Sequence, residues 1–121
     1  MSGKQELQKE ALSELVGYSE KIIRAAKTDI EELRGNKKED TDELFDLVIQ
    51  GINWEIEVYN NCEDLINKDE QRIDKAKMVK AVTRLGKVLQ EKDDIKIAAC
   101  LDVDFLPFLQ DMEYAALAEA Q

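Results

Sequence analysis

Apolar residues recur every three or four positions along almost the whole chain, and three short clusters of turn-forming residues interrupt the pattern. This spacing places apolar side chains on one face of an α-helix, whereas no segment shows the strict alternation that is typical of a half-buried strand. The interruptions lie at 34–38, 67–69 and 92–94. The pattern therefore predicts four helices, at about residues 5–33, 41–66, 70–90 and 95–118.

The short links between these segments predict how the helices are arranged. Helices of these lengths span about 30 to 45 Å and can lie side by side. Because short links make successive helices antiparallel neighbours, the sequence predicts an all-α fold, an antiparallel up-down-up-down four-helix bundle. We expect residues 1–121 to form a single helical-bundle domain, since a chain of 121 residues can bury a core of its own.

The third and fourth segments carry further signals. The third is predicted to be an amphipathic helix with a basic outer face and a core seam at Ile73, Ala76, Val79, Val82, Leu85 and Leu89. Pro107 interrupts the fourth segment, because proline cannot donate to the carbonyl four residues earlier. The fourth helix should therefore be kinked or broken near Pro107, with Asp104 placed to cap a restarted helix.

Three glycines lie inside the predicted helices, where each costs about 1 kcal/mol relative to alanine. They are Gly17, Gly51 and Gly86. This cost favours close helix crossings at these positions. Bare backbone that a ligand approaches is the alternative.

The chain carries 27 acidic against 17 basic residues, a formal net charge of −10. A negative field repels phosphates and anionic lipid headgroups, so nucleic acid and membrane surfaces are poor partners. No apolar run approaches the roughly 20 residues that cross a bilayer, and residues 1–20 do not resemble a signal peptide. The expected location is cytoplasmic.

The chain contains no histidine. Catalytic triads with histidine, Cys-His nucleophiles and the Glu-x-x-His ligand pairs of di-iron bundles are therefore excluded. Cys62 and Cys100 are far apart and form no CxxC pair, so we expect two buried, reduced thiols; a single disulfide is the alternative. The sequence predicts no catalytic residues, no cofactor and no metal site, and thus a protein that is not an enzyme.

Four carboxylates lie within otherwise apolar helical segments: Glu55, Glu57, Asp102 and Asp104. Inward-facing carboxylates on two helices could hold a metal or act as an acid and base pair. However, residues two apart point about 200° apart around a helix, so only one of each pair can face a given partner. We expect these side chains at the solvated edges of the bundle, with a carboxylate metal enzyme as the alternative.

The second predicted helix is apolar on nearly every side, although each helix of a four-helix bundle normally keeps one face in water. Part of its surface is therefore predicted to bind a partner protein or a second copy of the chain. The candidate partner-binding residues are Phe45, Ile49, Trp54, Ile56 and Tyr59. Complete burial under longer neighbouring helices is the alternative.

Three asparagines lie beside Trp54 and Tyr59 in this helix: Asn53, Asn60 and Asn61. Amide side chains near a bundle interior usually bridge backbone groups or fix the helix register. A polar part of a binding groove is the alternative.

Residues 47–112 resemble the flagellin-export chaperone family. The resemblance rests on 47–52, which is similar to the glycine-bearing first long helix of that family, on 74–79 with Leu85 and Leu89, and on 97–102. The stretch 105–109 also resembles the C-terminal pattern of small uncharacterised helical proteins from Gram-positive bacteria. The resemblance implies a chaperone-like bundle that wraps a disordered client segment.

Two functions remain in view. The first is a non-enzymatic helical bundle that binds another protein, as a chaperone or adaptor for a helical or disordered client segment. The alternative is an acidic inhibitor or immunity-type protein that neutralises a basic target. Salt distinguishes them, because charge-driven binding weakens strongly as ionic strength rises and binding in an apolar groove weakens far less.

Overall fold

A computed structural model describes residues 3–119, and this part of the chain is all helical, as predicted. It forms a four-helix bundle. The fourth helix consists of two α-helical parts separated by a short π-helical segment. The elements are α1 (Gly3–Leu33), α2 (Thr41–Ile66), α3 (Lys75–Glu91), α4 (Asp94–Cys100), the π segment (Leu101–Phe105) and α5 (Leu106–Glu119).

The helices pack unequally around one apolar core. Helix α1 packs against α2 on one side and against α4, the π segment and α5 on the other. Helix α3 packs against α4 and the π segment, and α2 also contacts α5. Helices α2 and α3 follow each other in the chain but scarcely touch. The edge between α2 and α3, called the open edge below, is therefore the least closely packed of the four edges of the bundle.

Helix α1 ends where the predicted stop lies. Gly35 has a φ of +146°, a conformation that residues with a Cβ rarely adopt, and the amide of Asn36 donates to the carbonyl of Glu32 at 3.0 Å. Helix α2 begins at Thr41. Aspartate is a favoured residue before a helix, but the side chain of Asp40 makes no capping hydrogen bond here. Instead the buried Thr41 hydroxyl donates to Glu32 at 2.7 Å, which links the two helices.

The loop between α2 and α3 is organised by Asn67. Its Oδ1 accepts from the backbone amides of Arg72 at 3.0 Å and Ile73 at 3.1 Å, and its Nδ2 donates to the carbonyl of Ile73 at 3.2 Å. These bonds hold the loop out of helical conformation. Asp74 then caps the next helix, because its side chain accepts from the amides of Ala76 and Lys77. Helix α3 therefore begins at residue 75 rather than at the predicted 70.

The fourth helix stays helical through Pro107, and the irregularity lies just before it. The amide of Leu106 donates to the carbonyl of Leu101, five residues back, so a π turn widens the helix there. Pro107 directly follows this π turn, so its missing amide falls where the regular i→i−4 hydrogen-bond ladder is already interrupted. The fourth helix was predicted to be kinked or broken near Pro107. It is not broken, and its departure from α-helical geometry is the π turn just before the proline.

Only one of the three mid-helix glycines marks a close crossing. A Cβ on Gly51 would lie 2.6 Å from Cγ1 of Ile22, so the absence of a side chain lets α2 approach α1. A Cβ on Gly17 or on Gly86 would meet nothing within 4 Å. The prediction is thus confirmed at Gly51 and wrong at the other two positions.

Alanine at two of these positions should change stability in opposite directions. Gly86→Ala should raise the free energy of unfolding by about 1 kcal/mol, because alanine favours an exposed helix interior. Gly51→Ala should lower it by about 1 to 3 kcal/mol, since the added methyl overpacks the contact with Ile22. Urea denaturation measures both changes, and an equal effect of the two substitutions would contradict the crossing.

Candidate functional site

The five residues predicted to bind a partner do not form one surface. Tyr59 is 0 % exposed: its hydroxyl donates to Glu63 at 3.1 Å and its ring packs edge-on against Phe108. Because Tyr59 is fully buried, it is not part of a surface that a partner can contact. Trp54 is half-buried and packs edge-on against Tyr18 of α1, with ring centroids 4.8 Å apart.

The other three residues share a stripe on the opposite side of α2. At about 100° per residue, Phe45, Ile49 and Ile56 lie within about 40° of one another, and Trp54 lies at least about 140° from each. All three are half-buried and pack against the core. Because Trp54 faces α1, the stripe lies on the flank of α2 that is turned away from α1.

Helix α3 presents a matching stripe. Its buried residues are Met78, Ala81, Leu85 and Val88, whereas Val79, Val82 and Leu89 are exposed by 51 %, 46 % and 38 %. The predicted core seam of α3 is therefore wrong at Val79, Val82 and Leu89. At each of these positions the preceding residue is buried instead. A sequence signal was present: two adjacent apolar stripes make the apolar face of α3 wider than one neighbouring helix can cover.

The two stripes flank the open edge of the bundle. The other flank of α3, with Lys77 and Arg84, lines a groove against the π segment and α5, so the flank with Val82 is turned towards the side of α2. We define the open edge by six residues: Phe45, Ile49, Ile56, Val79, Val82 and Leu89.

Uncharged polar residues border the open edge. Asn53 and Asn60 of α2 and Thr83 and Gln90 of α3 are exposed and lie next to the apolar stripes around their helices. For Asn53 and Asn60 this placement agrees with the polar border of a groove. At one end, Lys75 of α3 pairs with Glu63 of α2 at 3.6 Å, so the border of the open edge is mostly but not wholly uncharged. An apolar surface with few charges along its border suits association that depends little on charge.

A second surface, the outer groove, lies between α3 and the fourth helix. It has a volume of about 460 Å³. One rim carries Lys77, Lys80 and Arg84 of α3 with Asp74 at the start of that helix, and the other carries Asp104 and Asp111. The apolar residues that line the groove are Ile73, Met78, Ala81, Val103, Pro107 and Phe108.

Two ion pairs fix the fourth helix between its neighbours. Arg84 Nη1 donates to both oxygens of Asp104, at 2.7 and 2.8 Å, and Arg34 donates to Asp102 at 3.0 Å. Asp102 and Asp104 thus face different helices, as their spacing predicts. The side chain of Asp104 is only 13 % exposed, so it neither caps a restarted helix nor lies at a solvated edge.

The buried carboxyl of Glu55 is the largest departure from expectation. Glu55 was predicted at a solvated edge, but it is 0 % exposed. Ser19 Oγ lies 3.4 Å from Glu55 Oε1 and 3.4 Å from the carbonyl oxygen of Leu109. A hydroxyl donates one proton, so both contacts are hydrogen bonds only when Glu55 carries a proton and donates to Ser19.

Electrostatics favour the same protonated form. Burial raises the pKa of Glu55 from 4.5 to about 8, the hydrogen bond that Ser19 can donate to the ionised carboxylate acts against this rise, and the charge of Glu113 adds to it. At pH 7 the Glu55 side chain is therefore mostly a neutral acid. Its chain of hydrogen bonds through Ser19 to Leu109 joins α2, α1 and α5 in the core.

Asp29 is a second buried carboxyl, near the end of α1. Neither of its oxygens has a hydrogen-bond partner, and it is 0 % exposed. Burial and the nearby charges of Glu32, Asp42 and Asp94 raise its pKa from 3.8 to about 6. The ammonium of Lys37 lies 3.3 Å from Asp42 and 3.4 Å from Asp94 and so offsets part of this negative charge.

The thiols and carboxyls do not converge on a common centre. Cys62 and Cys100 are buried and free, as predicted, and burial raises the pKa of Cys100 to about 12. Within residues 3–119 no three or more Cys, Asp or Glu side chains are arranged to hold a metal ion. None of the helices described there is both long and apolar enough to span a bilayer.

Comparison with known proteins gives one match. A family model described as a domain of unknown function (DUF8042) matches residues 10–114. The curated proteins contain no match to the chain, and neither do the solved structures.

Proposed function

The chain belongs to the DUF8042 family, whose function is unknown, and from this premise we propose that it is a non-enzymatic, protein-binding helical bundle. Its site is the open edge between α2 and α3. The single observation that carries the proposal is that two consecutive helices scarcely touch while both turn half-buried or exposed apolar side chains towards the gap.

An amphipathic helix is the partner that suits this edge. A helix has one apolar stripe, and the open edge supplies two apolar walls, from α2 and α3, for such a stripe to enter. Leu89 and Phe45 lie near the same end of the bundle, where α3 ends and α2 begins, so the two walls run antiparallel along several turns. A bound helix would complete the packing that the bundle leaves unfinished.

A role as chaperone or adaptor is the form of this function that we propose. A segment that is disordered alone can fold into a helix as it binds, at the expense of part of its binding energy. This is also the role that the resemblance to the flagellin-export chaperones implies. The identity of the client does not follow from that resemblance.

Binding of a neutral amphipathic peptide tests the proposal. The probe is a fluorescently labelled helical peptide of about 15 residues with leucine at every third or fourth position and glutamine or serine elsewhere. We expect wild-type protein to bind it, with little change between about 50 mM and about 300 mM salt. Val82→Glu should weaken binding by about ten-fold or more, because it places a charge against the apolar stripe.

The matched control is Val103→Glu, which places the same charge on an exposed valine of the outer groove. It should leave affinity for the neutral peptide within about two-fold of wild type. Equal binding by wild type and Val82→Glu would contradict the proposal, as would the absence of binding. Tight, strongly salt-dependent binding to a basic protein would instead support the acidic-inhibitor alternative.

A further inference from the structure

Helix α3 differs in charge from the rest of the molecule. Its 17 residues include five basic side chains and one acidic side chain, in a chain whose formal net charge is −10. A basic helix in an acidic protein costs little as long as its charges stay in water. Which surface of the molecule is basic therefore depends on the directions in which these side chains of α3 point.

Four of the five basic side chains form one stripe. Lys77, Lys80, Arg84 and Lys87 fall within about 80° around α3 and extend along about 15 Å of the helix. Three of them line the outer groove: Lys77, Lys80 and Arg84. Arg84 is paired with Asp104, whereas Lys77, Lys80 and Lys87 have no ion-pair partner within 4.0 Å in the described part of the chain.

An apolar surface runs beside this stripe. Val103 is 67 % exposed, although it lies inside the fourth helix, and Pro107 is exposed one turn later. Val103 belongs to the π segment, and π turns occur frequently at functional sites. Ile73, Met78, Ala81 and Phe108 complete the apolar lining. The groove thus combines an apolar floor with unpaired ammonium groups on one rim.

We infer that the outer groove binds an acidic amphipathic segment of another protein, with the apolar side chains of that segment on Val103 and Pro107 and its carboxylates against Lys77 and Lys80. Charge complementarity argues for this partner, because the unpaired ammonium groups lie along a single rim. The opposite rim carries Asp111, and Asp74 lies at the end of the basic rim. The segment must therefore present its acidic residues on one side of its apolar stripe, opposite Lys77 and Lys80. This requirement also sets the orientation of the segment.

Nucleic acid fits the groove less well than an acidic peptide. A phosphate backbone has no apolar groups to cover Val103 and Pro107, and Asp111 together with the negative field of the whole chain would repel it. The acidic peptide uses both the floor and the charged rim. This inference does not rest on the proposed function, since the open edge and the outer groove lie on opposite flanks of α3.

Two labelled peptides of about 15 residues test the inference. Both carry the same leucine stripe, and one has glutamate where the other has lysine. We expect wild-type protein to bind the glutamate peptide at least about ten-fold more tightly than the lysine peptide, with an affinity that falls several-fold between about 50 mM and about 300 mM salt.

Two pairs of variants locate the site. Lys80→Glu should weaken binding of the glutamate peptide by about ten-fold, whereas Lys21→Glu, an equal charge reversal on an exposed lysine of α1, should change it by less than about two-fold. Val103→Glu should weaken it to a similar degree as Lys80→Glu, and Val82→Glu should not. The neutral peptide at the open edge should show the opposite result, with weaker binding to Val82→Glu and unchanged binding to Val103→Glu. The experiments can therefore contradict the proposal for one surface without affecting the proposal for the other.

Specific outcomes would overturn the inference. These are equal affinity for the two peptides, wild-type affinity in Lys80→Glu, or no binding of the glutamate peptide at all. Tighter binding of a DNA duplex or of phosphatidylserine vesicles, lost in Lys80→Glu, would overturn the partner class. Circular dichroism of each variant confirms that the bundle is intact.

Discussion

The protein should become more stable as pH falls from 8 to 5, and Glu55→Gln should remove most of this change. Folding raises the pKa of Glu55 from 4.5 to about 8, chiefly through burial. Between these values the folded state holds a proton that the unfolded state has released. Stability is therefore complete below about pH 4.5 and falls by about 1.4 kcal/mol per pH unit until pH reaches about 8.

Urea denaturation at fixed pH values measures the effect. At pH 8 we expect Glu55→Gln to have a free energy of unfolding about 2 kcal/mol above wild type, because the charge cost of about 4 kcal/mol disappears while an amide donor is left without a partner. Glu57→Gln is the control, since Glu57 is exposed two residues away. An unchanged pH slope in Glu55→Gln would contradict the assignment.

Asp29 should add to the slope at lower pH. Its pKa rises from 3.8 to about 6 on folding, so its contribution to stability falls as pH rises through that range. Asp29→Asn should reduce the pH dependence of the free energy of unfolding between about pH 4 and pH 6. Glu55→Gln alone should leave part of that dependence in place, because Asp29 still titrates in this range. Carboxylates whose pKa is lowered by partners, such as Asp64 and Glu119, act in the opposite direction near pH 4.

Asn67→Ala should lower the free energy of unfolding by about 2 to 3 kcal/mol. The substitution removes the acceptor of two backbone amides, those of Arg72 and Ile73, and the donor to the carbonyl of Ile73 and to the Tyr59 hydroxyl. These groups are partly buried, so losing their partners is expensive.

Asn60→Ala is the matched control, because Asn60 is an exposed asparagine near the end of α2, the helix that Asn67 directly follows. It should change stability by less than about 0.5 kcal/mol. Amide hydrogen exchange adds a local measurement: in Asn67→Ala the amides of Arg72 and Ile73 should exchange faster than in wild type. Equal stability of the two variants would show that the loop does not depend on Asn67.

The helices could be predicted from sequence because the apolar spacing and the turn residues act locally. Helix α2 begins and ends at the predicted residues. The apolar residues of the fourth helix that recur every three or four positions are all buried across the π turn: Ala98, Leu101, Phe105, Phe108, Met112 and Ala115. The start of α3 could not be predicted in the same way. It depends on Asn67 binding amides five and six residues later, and the sequence around 70 is compatible with a helix.

The candidate site was predictable only in part, since its geometry is tertiary. Phe45, Ile49 and Ile56 were found because α2 is apolar on too many sides for one bundle position. The wall from α3 was missed because two apolar stripes, one containing Val79 and one containing Met78, have the same spacing. The direction of Glu55 depends on Ser19, 36 residues away, and no local pattern encodes that contact.

The two buried cysteines give the molecule separate reporters of opening. Cys62 lies at the contact of α2 with α1, where its Sγ is 3.7 Å from the carbonyl oxygen of Gln8, and Cys100 lies under α3, 3.4 Å from the carboxylate of Asp104 that pairs with Arg84. A thiol reagent reaches either sulfur only after local opening. The rate of Cys62 modification thus reports how readily α1 separates from α2. The rate of Cys100 modification reports how readily α3 separates from the fourth helix. A ligand that bridges α3 and the fourth helix would slow the second reaction alone.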